Sequence, residues 1–295
     1  MKKNFALIGY GSWGKKVSEE IKRNKNFNLK YIVSKSAKQN NKDIKIYKNI
    51  NELLNLNTLD CIYVAKDPNT NFEILNKLKS QRIPMILEKP FSDNSLKFNN
   101  IINLIHKYKI KIFTNLPNIY SDTYDFSRKF ISNNKNKIEK IIIHEGGLGP
   151  KNTSIHPILD WGIHPLSYVF NIFGIENLNN IRHKEIMSFN KKGYGLSRFD
   201  LDLKNEFSIK IITGNFFKKK RRLFKIILKN GDIFLNDFIN HQIWINNQLI
   251  FKSKSSPLQN LLNKFAYSIE FEDYKSGIKE IKNSYESIKV IERFI

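Results

Sequence analysis

The sequence Gly9-Tyr10-Gly11-Ser12-Trp13-Gly14 has the spacing G-x-G-x-x-G and joins a short apolar run to a helical pattern. In this context the first glycine permits a tight turn, the second lets the backbone approach a pyrophosphate, and the third lets the helix pack on the strand. The amino end of a helix also offers free N–H groups and the positive end of its dipole. The stretch therefore predicts a dinucleotide-binding turn, with a plain tight turn as the alternative.

The alternation of apolar runs and amphipathic helical patterns continues to about residue 115, as expected for βαβ units on a parallel sheet. The predicted strands are Phe5–Gly9, Leu29–Val33, Cys61–Ala65, Met85–Glu88 and Lys111–Thr114. The predicted helices are Trp13–Arg23, Ile50–Leu54, Asn71–Leu78 and Ser95–Tyr108. Residues 1–117 are therefore predicted to form a dinucleotide-binding Rossmann domain, which is a doubly wound α/β fold with a parallel sheet.

Beyond about Pro117 the pattern changes, because several alternating apolar runs follow one another without helices between them. These predicted strands are Ile138–His144, Ile181–Phe189, Ser197–Leu203, Phe207–Thr213, Leu223–Leu228, Ile233–Leu235 and Gln242–Ile245. The predicted helices are Asp122–Ile131, Ile158–Phe173, Leu258–Ser268 and Ile278–Phe294. Residues 118–295 are therefore predicted to form a second, α+β domain with an antiparallel sheet.

Length and composition are consistent with two domains and exclude several classes of protein. The chain has 295 residues, against roughly 100 to 200 for one domain. No apolar run approaches the roughly 20 residues that cross a bilayer, and no secretory signal is recognised, so we expect a cytoplasmic protein with no membrane partner. The single cysteine, Cys61, excludes an internal disulfide and a multi-cysteine metal site, and no other cluster has ligand spacing, so no metal is expected.

The net charge of +23 raises the question of a nucleic-acid partner. The sequence contains 42 Lys but only 8 Arg, and most of the lysines are scattered, which favours a solvated surface over phosphate and base recognition. Only Lys218-Lys219-Lys220-Arg221-Arg222 forms a basic cluster. It precedes a predicted strand and is interpreted as a solvated hairpin flank, with a pocket for a substrate phosphate as the alternative. No nucleic-acid partner is expected.

Cofactor choice depends on the residues that follow the second strand. An acidic residue about 20 positions beyond the glycines normally binds the adenosine ribose. Counting from Gly14 leads to Ser34, which is followed by Lys35, and no carboxylate precedes Asp43. Since Ser and Lys can bind a 2′-phosphate that a carboxylate would repel, the sequence favours NADP over NAD. The alternative is that Lys35 belongs to the lysine-rich background.

Two further motifs carry candidate catalytic groups. Glu88-Lys89-Pro90 follows a strand at the carboxyl end of the predicted parallel sheet, where α/β proteins bind ligands, and the proline could form a cis peptide. Asp160 and His164 are four residues apart in a predicted helix and so share one face. Histidine suits general acid–base work near neutral pH, and a carboxylate can orient its ring. Alone, such a pair is more often a surface pair or a half-buried histidine.

Together these elements resemble the Gfo/Idh/MocA family of NAD(P)-dependent sugar and cyclitol oxidoreductases. The resemblance covers essentially the whole chain. It rests on Gly9-Tyr10-Gly11-Ser12-Trp13-Gly14, on Ile62-Tyr63-Val64-Ala65-Lys66-Asp67-Pro68-Asn69, on Glu88-Lys89-Pro90, and on Asp160-Trp161-Gly162-Ile163-His164. The ordered set is specific even though each part is not.

The resemblance implies a dehydrogenase that transfers a hydride between nicotinamide C4 and a secondary hydroxyl or ketone of a sugar or nucleotide sugar. It implies that Lys89, Asp160 and His164 are catalytic. It implies that the cofactor, NADP or NAD, is bound by Gly9, Gly11, Ser12, Trp13, Gly14, Ser34, Lys35, Asn69, Glu88 and Lys89. The second domain would be an open antiparallel sheet that binds a small sugar-like substrate and forms a homo-oligomer.

Some positions depart from the family pattern. Lys66 replaces a frequent threonine, Asn71 a frequent histidine, and Ser167 a frequent acidic residue, while residues 115–120 replace a motif of the Asn-Arg-Arg-Phe type. These departures favour a sugar or nucleotide-sugar enzyme over an inositol dehydrogenase. A non-catalytic NAD(P)-binding sensor remains an alternative, although it would not need the three catalytic residues, and a basic nucleic-acid-binding protein is the other.

Overall fold

The computed structural model describes residues 1–38, 43–149, 155–187, 194–204, 206–271 and 277–295. The chain forms two compact units. The first comprises Met1–Leu116 and Leu258–Tyr285, and the second comprises Pro117–Pro257 and Glu286–Ile295. No helix of the described residues is both long enough and apolar enough to span a membrane.

The first unit is built on a parallel sheet. Its elements up to residue 116 are β1 (Lys3–Ile8), α1 (Ser12–Arg23), β2 (Phe27–Val33), β3 (Lys45–Tyr47), β4 (Cys61–Val64), α2 (Asn71–Leu78), β5 (Met85–Glu88), α3 (Ser95–Tyr108) and β6 (Ile112–Asn115). The strand order is β3-β2-β1-β4-β5-β6, and every pair is parallel. This confirms the predicted doubly wound sheet, whose order reverses between β1 and β4.

Three neighbouring strands of this sheet are buried along their whole length. All residues of β4, β5 and β6 are buried, which explains why these strands read as continuous apolar runs rather than as alternating ones. Cys61 is among them, and burial raises the pKa of its thiol. Two details differ from the sequence prediction. The short strand β3 was not predicted, and the predicted helix at Ile50–Leu54 is a single 3-10 turn over Ile50–Leu53.

The second unit is built on an eight-stranded sheet. The elements from residue 117 onwards are α4 (Asp122–Asn134), β7 (Ile138–Leu148), α5 (Pro157–Phe173), β8 (Leu178–Met187), β9 (Leu196–Leu203), β10 (Ser208–Gly214), β11 (Phe216–Leu228), β12 (Ile233–Asp237), β13 (Gln242–Ile245), β14 (Gln248–Lys252), α6 (Pro257–Glu270) and α7 (Ile278–Glu292). The strand order is β14-β13-β12-β11-β7-β10-β9-β8. All pairs are antiparallel except β7 with β10, so the sheet is mostly antiparallel, as predicted.

The basic cluster lies inside a strand rather than before one. Strand β11 begins at Phe216, upstream of the predicted start at Leu223, because β7 continues to Leu148 and pairs with it. Strand β14 was not predicted. The predicted strand Ile181–Phe189 corresponds to β8, and its residues 188 and 189 lie outside the described residues.

Helix α6 packs with the parallel sheet. The ring of Phe265 lies 5.3 Å from Phe113, 6.1 Å from Phe5 and 6.2 Å from Phe27 between centroids. The apolar face of α6 therefore helps to bury the first sheet, which explains why Leu258–Tyr285 belongs to the first compact unit. The sequence pattern predicts this segment to be part of the second domain. A division into two domains at residue 117 stays a prediction.

Candidate functional site

Gly9 and Gly14 are required by close backbone contacts around the first turn. Gly9 follows β1 with φ +97°, and a Cβ there would lie 2.3 Å from the carbonyl oxygen of Ala65, just after β4. A Cβ on Gly14 would lie 2.2 Å from the carbonyl oxygen of Gly9. Both distances are far below van der Waals contact, so only glycine lets this strand, turn and helix approach one another.

Gly11 is different, because packing does not explain it. Its φ of −76° and ψ of −164° suit any residue, and a Cβ there would meet no described atom within 4 Å. This open space lies at the start of α1, whose first turn contains no acidic side chain to offset the helix dipole. It also lies beside the β1–β4 reversal of strand order, where Rossmann folds bind dinucleotides. The turn therefore fits the pyrophosphate of NAD or NADP.

The carboxylate of Glu88 connects the first turn to three strands. Its Oε1 atom accepts hydrogen bonds from the Tyr63 hydroxyl at 2.6 Å, from Asn115 Nδ2 at 2.7 Å and from the indole N–H of Trp13. Trp13 belongs to the glycine turn, whereas Tyr63, Glu88 and Asn115 lie on β4, β5 and β6. The network therefore fixes the turn against the end of the sheet.

Burial raises the pKa of Glu88, while the hydrogen bonds from Tyr63, Trp13 and Asn115 and the charge of Lys89 act in the opposite direction. The pKa of Tyr63 is also raised well above its ordinary value, by burial first and then by Glu88. Because Oε1 already accepts three hydrogen bonds, its first role is structural. Direct cofactor binding by Glu88 and Trp13 stays a prediction.

Lys89 follows Glu88 at the end of β5 and is half-buried. The Lys89–Pro90 peptide is cis. The next residue, Phe91, accepts a hydrogen bond at its carbonyl oxygen from Nδ2 of the fully buried Asn71, at 3.1 Å. Asn71 is one of the positions that depart from the family pattern, and here it anchors the segment that follows Lys89.

The loop after β2 holds Ser34 and Lys35. Ser34 is 8% exposed, and its hydroxyl lies 3.3 Å from the amide nitrogen of Ala37, from which it accepts a hydrogen bond. Lys35 is exposed. The ammonium of Lys48 donates to the carbonyl oxygens of Ala37 at 2.8 Å and Lys35 at 3.3 Å. Lys48 is thus a second cation at this loop, and the sequence analysis missed it because its position after β3 carries no motif.

Asn69 lies in the turn after β4, within a 3-10 turn over Pro68–Thr70. Its side chain is exposed, and its backbone N–H donates to Oδ1 of Asp67 at 2.9 Å. Asp67-Pro68-Asn69 therefore forms a turn. A contact between Asn69 and a cofactor stays a prediction.

Asp160 and His164 lie one turn apart on α5, so the structure places them together on one helix of the second unit. Asp160 is half-buried and His164 is 3% exposed. A Cβ on Gly162 would lie 3.3 to 3.5 Å from side-chain atoms of Ile158, Ile291 and Thr213, so this glycine lets α5 pack closely on its neighbours. Lys89 lies in the first unit. Within the described part of the chain, no group of three His, Cys, Asp or Glu side chains could hold a metal.

Two hydrogen-bond partners of Glu88, Tyr63 and Asn115, are not predicted by any of the sequence motifs. Tyr63 and Asn115 are distant in sequence from Glu88 and meet it only because β4, β5 and β6 are neighbours in register. Asn115 could have been suspected, since it opens the segment that replaces the Asn-Arg-Arg-Phe type of motif. Tyr63 gives no such signal, because it lies in a continuous apolar run.

Residues 3–116 match the model of an oxidoreductase family with an NAD-binding Rossmann fold. The match covers the glycine turn, Glu88 and Lys89, and ends before Asp160 and His164. No curated protein has a sequence that matches this chain.

Solved structures resemble the chain over nearly its full length. A dehydrogenase from Chromobacterium violaceum has a TM-score of 0.82 at 13% identity, covering 99% of this chain and 95% of its own. A UDP-N-acetylglucosamine 3-dehydrogenase from Acidithiobacillus ferrooxidans has a TM-score of 0.81 at 14% identity, covering 98% and 97%. A myo-inositol dehydrogenase from Corynebacterium glutamicum has a TM-score of 0.76 at 13% identity, covering 98% and 96%. At these identities the similarity shows the fold alone.

Proposed function

We propose that this chain, whose residues 3–116 match the model of the Gfo/Idh/MocA family of NAD-binding oxidoreductases, is a dehydrogenase or reductase that acts on a secondary hydroxyl or ketone of a sugar or nucleotide sugar. One observation carries the proposal: the glycine turn leaves open space at Gly11, at the start of a helix and at the reversal of strand order. Nothing in the packing of the described residues requires glycine there, whereas an approaching pyrophosphate does.

In this proposal the glycine turn binds the cofactor and Glu88 supports the turn. The N–H groups at the start of α1, beginning at Ser12, face the pyrophosphate. The hydrogen bond from Trp13 to Glu88 holds that end of the helix next to Lys89. When bound, the nicotinamide supplies the hydride acceptor for oxidation or the hydride donor for reduction.

The remaining chemistry is a proton transfer and the stabilisation of an oxyanion. His164 would remove the hydroxyl proton of the substrate during oxidation and return it during reduction. Asp160, one turn earlier on α5, would orient the substrate and adjust the basicity of His164. Lys89 would hold the substrate oxygen and stabilise the negative charge that develops on it. These three roles are carried over from the family pattern.

Departures from the family pattern support a sugar or nucleotide sugar as substrate. The fold itself does not decide, because the UDP-N-acetylglucosamine 3-dehydrogenase and the myo-inositol dehydrogenase both share it over nearly the whole chain. Asn71 and Ser167 replace residues that are frequent in the family, and Asn71 is tied to the Phe91 carbonyl rather than available to a ligand through its Nδ2 atom. We therefore favour this class over inositol.

The test is a screen of free sugars, nucleotide sugars and cyclitols with NADP and with NAD, in which the near-ultraviolet absorbance of the reduced nicotinamide is followed. We expect hydride transfer with a sugar or nucleotide sugar and its loss in His164→Asn. Tight cofactor binding with no hydride transfer to or from any compound of these classes would instead indicate the non-catalytic sensor.

A further inference from the structure

A cross-strand ion pair lies beneath α5 in the second unit. Arg222 on β11 is directly opposite Glu145 on β7, and the Arg222 Nε atom lies 3.0 Å from Glu145 Oε1. These two atoms are close enough for an ion pair but are not aligned for a hydrogen bond. The Glu145 side chain is fully buried, whereas that of Arg222 remains 22% exposed. The carboxylate is therefore inside the unit, and the guanidinium reaches its surface.

The carboxylate is held in place from several directions. The hydroxyl of Tyr168 donates to Glu145 Oε2 at 3.4 Å, and Asn118 Nδ2 donates to that hydroxyl at 2.6 Å. Thr213 donates to the backbone carbonyl of Glu145 at 2.9 Å. Because Glu145 is fixed, the guanidinium beside it is fixed as well, so little side-chain entropy would be lost when Arg222 binds a ligand.

The ion pair faces the helix that carries His164. The guanidinium carbon of Arg222 lies 5.9 Å from the ring centroid of Trp161, and Glu145 contacts Tyr168. On α5, Trp161, His164 and Tyr168 follow one another at spacings of three and four residues, so they share one face. His164 therefore lies on the helix face that is turned towards Arg222 and Glu145.

Two side chains at this place, Arg222 and Trp161, have hydrogen-bond donors that meet no acceptor among the described residues. Among the described residues, the guanidinium of Arg222 donates no hydrogen bond, and neither does the buried indole N–H of Trp161, a residue that is 8% exposed. Buried donors normally have an acceptor, and a missing one costs free energy. A ligand with several anionic oxygens would supply acceptors, and the planar guanidinium can bind such a group through two parallel hydrogen bonds.

The rest of the basic cluster adds attraction for an anion. Lys218, Lys219, Lys220 and Arg221 precede Arg222 on β11 and are all exposed. They give the upstream part of the strand an excess of positive charge that Glu145 does not neutralise. The sequence pattern leaves open a pocket for a substrate phosphate at this cluster, and Arg222 is the member with a described contact to the helix of His164, through the ring of Trp161.

We propose that Arg222 binds an anionic group of the substrate, a phosphate or a carboxylate, so that the substrate is an anionic sugar rather than a neutral one. The inference rests on the proposed function, because it takes the ligand near His164 to be a sugar. It assigns to Arg222 a role in substrate specificity that is separate from the chemistry of His164.

The test compares the binding of three probes to the full-length, cofactor-loaded protein by calorimetry: glucose, glucose 1-phosphate and glucuronate. The wild type should bind one anionic probe about tenfold to a hundredfold more tightly than glucose, the range expected for a hydrogen-bonded charge. Preference for glucose 1-phosphate indicates a phosphate group, and preference for glucuronate indicates a carboxylate. In Arg222→Gln, the ratio of the affinity for the anionic probe to the affinity for glucose should be close to one.

Arg221→Gln is the matched control, since it removes the same charge from the neighbouring residue, whose side chain points to the other face of the sheet. The Arg221→Gln variant should keep most of the wild type's preference for the anionic probe over glucose. Because Arg222→Gln leaves Glu145 buried without its cation, the double variant Glu145→Gln/Arg222→Gln provides a second measurement in which no charge is left unpaired. The same loss of preference is expected in both variants that lack Arg222.

The inference is overturned if the wild type prefers neither anionic probe, if the variants without Arg222 keep the preference, or if Arg221→Gln loses as much. Hydride transfer separates this inference from the proposed function. Oxidation of a neutral sugar that depends on His164, without any preference for anions, would leave the function intact and overturn the inference. An anion preference that depends on Arg222, without hydride transfer to any sugar, would support the role of Arg222 and overturn the proposed dehydrogenase function.

Discussion

The Tyr63 hydroxyl donates a 2.6 Å hydrogen bond to Oε1 of Glu88, joining the ends of β4 and β5. Trp13 and Asn115 donate to the same oxygen, so a single buried atom connects the glycine turn with three neighbouring strands. The residue after Glu88 is Lys89, the proposed ligand of the substrate oxygen. The network therefore couples the shape of the cofactor turn to the position of a catalytic candidate.

Replacing Glu88 by leucine should lower the free energy of unfolding by roughly 2 to 4 kcal/mol, because the buried donors of Tyr63 and Asn115 would lose their acceptor. Glu88→Gln keeps an acceptor oxygen and should cost less than half as much. Urea unfolding of the full chain measures the free energy of unfolding of both variants. Glu73→Gln, an exposed carboxylate on α2, is the control and should be nearly neutral. Equal losses in Glu88→Leu and Glu73→Gln would show that the network adds nothing to stability.

Stability should also depend on pH through Glu88. Burial places the folded pKa of this carboxyl above its ordinary value of 4.5, so the neutral form is favoured in the folded chain. Its contribution to the unfolding free energy is therefore fully present below the pKa of the unfolded chain and is lost as pH rises through the folded pKa. The difference in unfolding free energy between wild type and Glu88→Gln should fall as pH rises above 4.5. A difference that rises with pH would contradict the sign of this shift.

Two glycines of the first turn should have different roles, Gly11 in cofactor binding and Gly14 in the stability of the fold. Gly11→Val should leave the unfolding free energy nearly unchanged, since a Cβ atom there meets no described atom within 4 Å, while the affinity for NADP and NAD should be lost. Gly14→Val should instead destabilise the fold, since its Cβ would lie 2.2 Å from the Gly9 carbonyl oxygen. Thermal unfolding and calorimetric titration of the cofactor measure the two effects. Unchanged affinity in folded Gly11→Val would remove the assignment of this turn as the cofactor site.

Five strands of the parallel sheet could be predicted from the sequence to within two residues at each end, because they read as short apolar runs between helical patterns. The elements that differ from the sequence prediction do so for identifiable reasons. Strand β3 has only three residues, and Ile50–Leu53 forms a 3-10 turn with Asn49 as its cap, which is too short to show a helical period. Helix α6 was placed in the second domain because amphipathic periodicity shows that a face is buried but not what covers it.

The candidate site could be predicted only in part. The spacing of the glycine motif indicated Gly9 and Gly11, whereas Lys89 was indicated only by the resemblance to the family, and its role stays a prediction. The contacts of Glu88 with Tyr63, and of Arg222 with Glu145, depend on strand register, which periodicity does not define across distant segments. The start of β11 shows the same limit, since a run of cations gives no apolar alternation even though its backbone pairs with β7.

Lys89→Met and His164→Asn should each lower turnover by roughly two to four orders of magnitude, as expected for losing a charge-stabilising group or a general acid–base. Cofactor affinity should change much less, since neither side chain belongs to the glycine turn. Lys107→Met and His106→Asn on α3 are matched controls, because both positions are exposed, and they should keep wild-type turnover. Steady-state kinetics with the sugar found in the screen provide the measurement. Near wild-type turnover in either catalytic variant would show that its role does not carry over to this chain.

The last prediction concerns the choice between NADP and NAD. Ser34 offers no carboxylate to repel a 2′-phosphate, and two cations, the exposed Lys35 and the Lys48 that binds the loop carbonyls, lie at the same loop. The unmodified protein should therefore bind NADP about fivefold to tenfold more tightly than NAD, because a solvent-screened lysine contact contributes about 1 kcal/mol. Ser34→Asp combined with Lys35→Ala should reverse the preference, because the new carboxylate accepts hydrogen bonds from the ribose and the phosphate loses a cation.

Lys38→Ala is the control for this change, since Lys38 is another exposed lysine of the same segment and its removal should leave the ratio of the two affinities nearly unchanged. Titration of both cofactors at physiological ionic strength keeps long-range attraction to the +23 chain small, so that the local contact decides the result. Equal or tighter binding of NAD by the unmodified protein would show that Lys35 is one of many surface lysines and does not bind the 2′-phosphate of NADP. An equal shift in Lys38→Ala and Lys35→Ala would mean that general charge, rather than a contact at the ribose, sets the preference.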